Sequence, residues 1–141
     1  MQAFLWPYDI TKFTQRPPPA CYTAAQHDRA LQYSAIQGGA VRQMKACIAS
    51  GYPFVFGFTV YESFESAAVA QNGIVPMPGN DEQVLGGHAV LAVGYDDSTR
   101  RFTVRNSWGA GWGDKGRFYM PYEYLSRADL SSDFWTLKRV G

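Results

Sequence analysis

Cysteine is scarce in this chain of 141 residues: Cys21 and Cys47 are too few for the disulfide framework that holds small secreted domains together. A single Cys21–Cys47 bridge stays open, because spacing alone does not demand it. There are 2 histidines, His27 and His88, and no Cys/His spacing of the zinc-binding kind, so no metal or other cofactor is expected. Charge is thin as well. Charged residues make up 18% of the chain, the net charge is +1, and no basic run is longer than Arg100-Arg101. Without a stripe of Lys and Arg to follow a phosphate backbone, nucleic acid is not expected as a partner. No apolar run approaches the ~18–20 residues that cross a bilayer, so no membrane partner is expected. The opening Met1-Gln2-Ala3-Phe4-Leu5-Trp6-Pro7 has neither the basic start nor the long apolar core of an export signal, and the compartment stays open. Repeats and low-complexity tracts are absent.

Aromatics are what the chain has in abundance: 4 Trp, 9 Tyr and 9 Phe, a composition that suits a β-rich fold better than a helical bundle. A compact domain of this length buries close to ~70% of its unfolded surface, so a core is attainable without metal or disulfides. One domain, residues 1–141, is expected. Its residues 1–19 form a linker-like segment rich in proline and aromatics, Trp6-Pro7-Tyr8 and Pro17-Pro18-Pro19, that breaks helices and favours extended backbone. Residues 20–141 hold the periodic elements.

After the prolines, Ala20 to Arg29 reads as a turn or two of helix with Cys21 in its first turn, where a helix N-terminus lowers a thiol's pKa. No glycines flank that cysteine, and a small, partly buried side chain is the plainer reading. Leu31, Tyr33 and Ala35 alternate with polar residues as in a strand. Val41, Met44, Cys47 and Ile48 recur at helical spacing up to a capping Gly51, which predicts a core-facing helix with a buried Cys47. Pro53 to Val60 is almost wholly apolar and predicts a central strand buried on both faces, with Gly57 marking a close approach, a packing glycine or a bulge. Glu62 to Ala68 suggests a short helix, and Gly73 to Asp81 a loop. Near the end, Gly116 to Met120 and Phe134 to Leu137 read as strands, with a proline-started helical turn at Pro121 to Leu125 between them. The sum is an α+β chain: mainly an antiparallel, barrel-like β lobe with a few short helices.

The most informative stretch runs from Gly86 to Gly113. Two apolar runs, Ala89–Val93 and Phe102–Val104, flank Asp96-Asp97-Ser98-Thr99-Arg100 and predict a hairpin. His88 opens its first strand and Asn106 closes its second, so antiparallel pairing brings an imidazole beside a carboxamide. The amide oxygen accepts from one ring nitrogen, holds one tautomer and leaves the other nitrogen for a reacting group. Trp108 is placed to shield that bond, and the glycines around Trp108 and Trp112 allow a tight loop carrying both rings. Two other readings of His88 remain: a core histidine, and a metal site with Asp96 and Asp97.

The run Asn106-Ser107-Trp108-Gly109-Ala110-Gly111-Trp112-Gly113, preceded by Gly87-His88-Ala89-Val90 and Val93-Gly94-Tyr95, resembles the His and Asn segments of papain-family cysteine peptidases. The likeness spans roughly Tyr52 to Met120. It implies the right-hand lobe of a papain-like fold, with 1–19 the inter-lobe connection, His88 the catalytic base, Asn106 its orienting residue and Trp108 the shield. It further implies Gly57, Gly86 and Ala89 as walls of a substrate pocket, Gly87 as a backbone contact to substrate, and Trp112 as a substrate neighbour. The family's C-G-[SA]-C-[WY] nucleophile signature does not occur, and it sits roughly 130–150 residues before the His and Asn, so the nucleophile is expected before Met1. The expected function is the C-terminal part of a papain-like peptidase whose Cys lies outside this chain, with a non-catalytic pseudo-peptidase or partner-binding lobe as the alternative. The expected partners are a peptide or protein substrate, the nucleophile-bearing lobe and, through an uncovered apolar wall, a second copy.

Overall fold

A computed structural model describes residues 5–140, so residues 1–4 of the proline- and aromatic-rich segment lie outside the described residues. The described residues fall into two compact units, residues 5–33 with 137–140, and residues 34–136.

In the first unit, Asp9 caps a single helical turn at Ile10–Lys12 by accepting from the Thr11 amide at 3.0 Å. Pro19 begins α1 (Pro19–Ala25), where a fixed φ suits the first turn and the missing N–H costs nothing. Cys21 is buried in α1 and its Sγ donates to the Leu5 carbonyl at 3.8 Å. Strand β1 (Ala30–Ala35) starts in this unit.

The second unit carries the rest: α2 (Val41–Ala49), β2 (Phe54–Tyr61), a helical turn at Glu62–Glu65, α3 (Ala67–Asn72), β3 (Val84–Asp96), β4 (Arg101–Arg105), β5 (Arg117–Pro121), α4 (Tyr122–Ser126) and the first part of β6 (Ser131–Val140). Strand order is β1-β6-β2-β3-β4-β5, and the β6–β2, β2–β3, β3–β4 and β4–β5 pairs are antiparallel. This corrects the expected barrel: the sheet is open. Closure needs an end strand with a free edge, and the outer edge of β5 is already taken. Tyr119 donates to the Gly73 carbonyl at 2.7 Å and accepts from the Val75 amide at 3.1 Å. That segment occupies the groups a closing strand would use.

Strand β2 is central but buried on one face only, a second correction. Phe54, Phe56, Phe58 and Val60 are buried, whereas the intervening Val55 is 44% exposed. Helices α2, α3 and α4 cover the first face with Met44, Val69 and Leu125, and Phe64 from the helical turn packs with them. Each fully buried Phe of this kind contributes ~1.5–3 kcal/mol over its exposed state. Cys47 is partly exposed rather than buried, because Met44 takes the inward position of α2, and its Sγ donates to the Tyr52 carbonyl at 3.3 Å. Both cysteines are free thiols.

Candidate active site

The β3–β4 hairpin builds the site. Strand β3 starts earlier than the hydrophobic run suggested, so His88 lies within it, opposite Phe58 of β2. Leu91 pairs with Arg105, and carrying that register one step further sets Asn106 opposite Val90, on the same face as His88. The Asn106 amide donates to the Gly116 carbonyl at 2.9 Å, which fixes the residue as it leaves β4.

His88 Nε2 lies 2.8 Å from Asn106 Oδ1. The same oxygen accepts from the Ser107 backbone N–H at 2.8 Å. A backbone N–H can only donate, so the contacting atom is the amide oxygen, Nε2 carries the proton and Nδ1 is the basic nitrogen. Among the described residues Nδ1 has no hydrogen-bond partner, so it is free to take a proton.

Rings hold this pair from two sides. Trp108 stacks over His88 with centroids 5.1 Å apart and planes 24° from parallel, and Phe58 meets the imidazole edge-on at 5.8 Å. Trp108 rests in turn on Phe64 and Trp112, at 5.6 and 5.1 Å. Trp112 packs on Phe64 and Phe118 and borders none of the cavities beside His88, whereas Trp108 stays 42% exposed at the surface. The loop between the two tryptophans is anchored by Gly113, whose N–H donates to the Ala70 carbonyl at 2.7 Å. A Cβ on Gly113 would come within 2.4 Å of the Arg117 carbonyl oxygen at a φ of +61°, so only glycine fits there.

Two cavities border the pair. One, of about 250 Å³, is lined by Gly57, Phe58, Gly87, His88, Leu130 and Ser131 among others. The other, of about 320 Å³ and apolar, includes Val55, Ala89, Leu91 and Asn106. Gly57 and Gly87 thus border the first cavity and Ala89 the second. Gly86 lines neither and a Cβ on it would meet nothing within 4 Å. Leu130, Ser131 and Phe64 escaped the sequence reading because they reach the site through tertiary packing and carry no local motif. The one available signal was the strand pattern near Phe134, whose β6 starts at Ser131.

Neither cysteine lines these cavities. Asp97 and Asp96 are engaged elsewhere, with Lys45 and Tyr122 and with Ser98, which removes the metal reading of His88. Among the described residues no group of three or more His, Cys, Asp and Glu side chains is placed to hold a metal ion.

Residues 6–133 match the family model described as papain family cysteine protease. An uncharacterized peptidase C1-like protein of Acanthamoeba polyphaga mimivirus is 42% identical over 96% of this chain and 46% of its own length. Cathepsin B-like cysteine proteinase 4 of Caenorhabditis elegans is 33% identical over 79% of this chain and 32% of its own length. Among solved structures, xylellain, a cysteine protease from Xylella fastidiosa, superposes with a TM-score of 0.87 at 39% identity, covering 99% of this chain and 56% of xylellain. The chain spans about half the length of the mimivirus relative and of xylellain, and about a third of the nematode one.

Proposed function

The chain belongs to the papain family of cysteine proteases, and from that premise we propose that it is a base-bearing, peptide-binding lobe with no nucleophile and no peptidase activity of its own. One observation carries this reading: Nε2 of His88 is tied to Asn106 and Nδ1 is free, while neither Cys21 nor Cys47 lines a cavity at the imidazole. The cavity at Gly57, Gly87 and Leu130 receives an apolar side chain of the peptide, and the backbone of Gly87 holds the peptide near His88. Titrating a peptide with a large apolar residue into the ¹⁵N-labelled chain is expected to move the amides of Gly57, Gly87 and Ser131 saturably. No movement there at millimolar peptide sinks the proposal.

A second reading is hydrolysis once a Cys thiolate is supplied from outside this chain. It is favoured by the locked tautomer and the tryptophan cover, which a surface that only binds peptide does not need. The thiolate, paired with the His88 imidazolium, adds to the peptide carbonyl, and the imidazolium protonates the departing amine as the C–N bond breaks. Nδ1 then takes a proton from water, whose oxygen adds to the thioester carbonyl and expels the thiolate, which releases the acid and restores the thiolate–imidazolium pair. Asn106 orients the ring throughout and transfers no proton. The nucleophile-bearing part, or a second copy of this chain, is the natural cover for the exposed sheet face at Val55 and Val93.

A further inference from the structure

Beside Asn106, β4, β5 and the intervening loop border a third cavity, of about 470 Å³, which shares Arg105, Asn106 and Ser107 with the apolar one. Arg105, Lys115 and Arg117 line it, together with Asn106, Gly109 and Ala110, and no acidic side chain does. Arg105 and Arg117 stand directly opposite each other across the antiparallel pair, an arrangement that like charges disfavour unless an anion lies between them. Among the described residues none of the three cations is in an ion pair. The nearest candidate in sequence, Asp114, accepts from the Tyr119 hydroxyl at 2.5 Å.

Donors accompany the charge. The amides of Gly109 and Ala110 donate to no backbone carbonyl among the described residues.

We propose that this cavity binds a carboxylate presented by a polypeptide, gripped by Arg105 and Arg117 with Lys115 adding charge and the loop amides adding hydrogen bonds. Guanidinium groups suit a carboxylate because two parallel N–H donors match its two oxygens. The peptide can be a bound substrate or a polypeptide that supplies the nucleophile, and only this choice of source rests on the function proposed above.

The test uses the ¹⁵N-labelled chain, glutarate, and a matched pair of blocked tripeptides, Ala-Glu-Ala and Ala-Gln-Ala. The Glu peptide and glutarate are expected to shift the backbone amides of Gly109 and Ala110 saturably. Binding is expected to weaken about fivefold as salt rises from about 0.05 to about 0.5 M. Arg105→Gln/Arg117→Gln is expected to weaken it by about tenfold or more, and Lys115→Gln by less, with unchanged circular dichroism in both. Equal shifts with the Gln peptide, tighter binding of inorganic phosphate than of glutarate, or full binding in the double variant overturns the proposal. Repeating the titration with the nucleophile-bearing polypeptide joined to this chain separates the sources. A site that no longer takes the probe is filled by a carboxylate of that polypeptide, and one that still takes it serves the substrate. Because the probe is read without turnover, loss of this site and loss of the peptidase reading give different results.

Discussion

Asn106 performs two tasks with one side chain: its oxygen takes both the Nε2 proton of His88 and the Ser107 amide, and in doing so selects the imidazole tautomer. Asn106→Ala removes that acceptor. The expected cost is about 0.5–1.5 kcal/mol in stability, and ring ¹⁵N shifts of His88 should change from one Nε2–H tautomer to a mixture of two. An unchanged ring spectrum would show that Asn106 does not set the tautomer. These residues were legible in the sequence because the hairpin places them locally: a histidine in one strand, an amide at the end of the next, and a tryptophan two residues on. Phe64, Leu130 and Ser131 were not, since nothing in their own neighbourhoods records that the sheet will bring them to the same place.

The hairpin's far tip is held by a different set of contacts. Lys45 of α2 reaches Asp97 at 2.5 and 2.7 Å, Tyr122 of α4 donates its hydroxyl to the same carboxylate at 2.8 Å, and the Lys45 ammonium lies over the Tyr95 and Tyr122 rings. The Lys45 hydrogen bond, then that of Tyr122, hold the Asp97 carboxyl below its usual range. Burial first, and the bond to Asp97 second, push the Tyr122 hydroxyl well above its own. A depressed carboxyl contributes stability that is fully present above the unfolded-state pKa and disappears as pH falls through the folded one. Asp97→Asn should therefore lower the melting temperature relative to the parent near neutral pH. The gap should close as pH falls below about 4, and a gap that stays constant there would assign the effect to shape instead of charge. At the other end, the loop carrying Trp108 and Trp112 depends on Gly113. Gly113→Ala should cost about 1–3 kcal/mol in denaturant unfolding. Gly111→Ala, where a Cβ meets nothing within 4 Å, should unfold like the parent. Equal effects of the two would remove the steric explanation.

Element types were mostly readable from pattern, but their burial was not. Pro53 to Val60 is apolar at nearly every position, so alternation was invisible, and only the structure shows that Phe54, Phe56 and Phe58 face a core while Val55 faces out. Whether a sheet closes also cannot be read from strand count. Here the Gly73–Val75 segment claims the β5 edge, and the sheet stays open.

On the outward face, Val55 and Trp135 are register partners on neighbouring strands, 44% and 38% exposed, and Val93 is 37% exposed. An apolar surface of this kind is expected to drive association when no partner covers it. Light scattering should report a mass that grows with concentration, and Val55→Glu should reduce it. A concentration-independent monomer would count against the association. The most direct measurement is hydrolysis of a fluorogenic peptide by the purified chain, with and without a thiol-alkylating reagent. If His88 and Asn106 await a thiolate that neither Cys21 nor Cys47 supplies, fluorescence will rise no faster than in buffer, whether or not the reagent is present. Turnover that the reagent abolishes would place a working nucleophile within these 141 residues and contradict it.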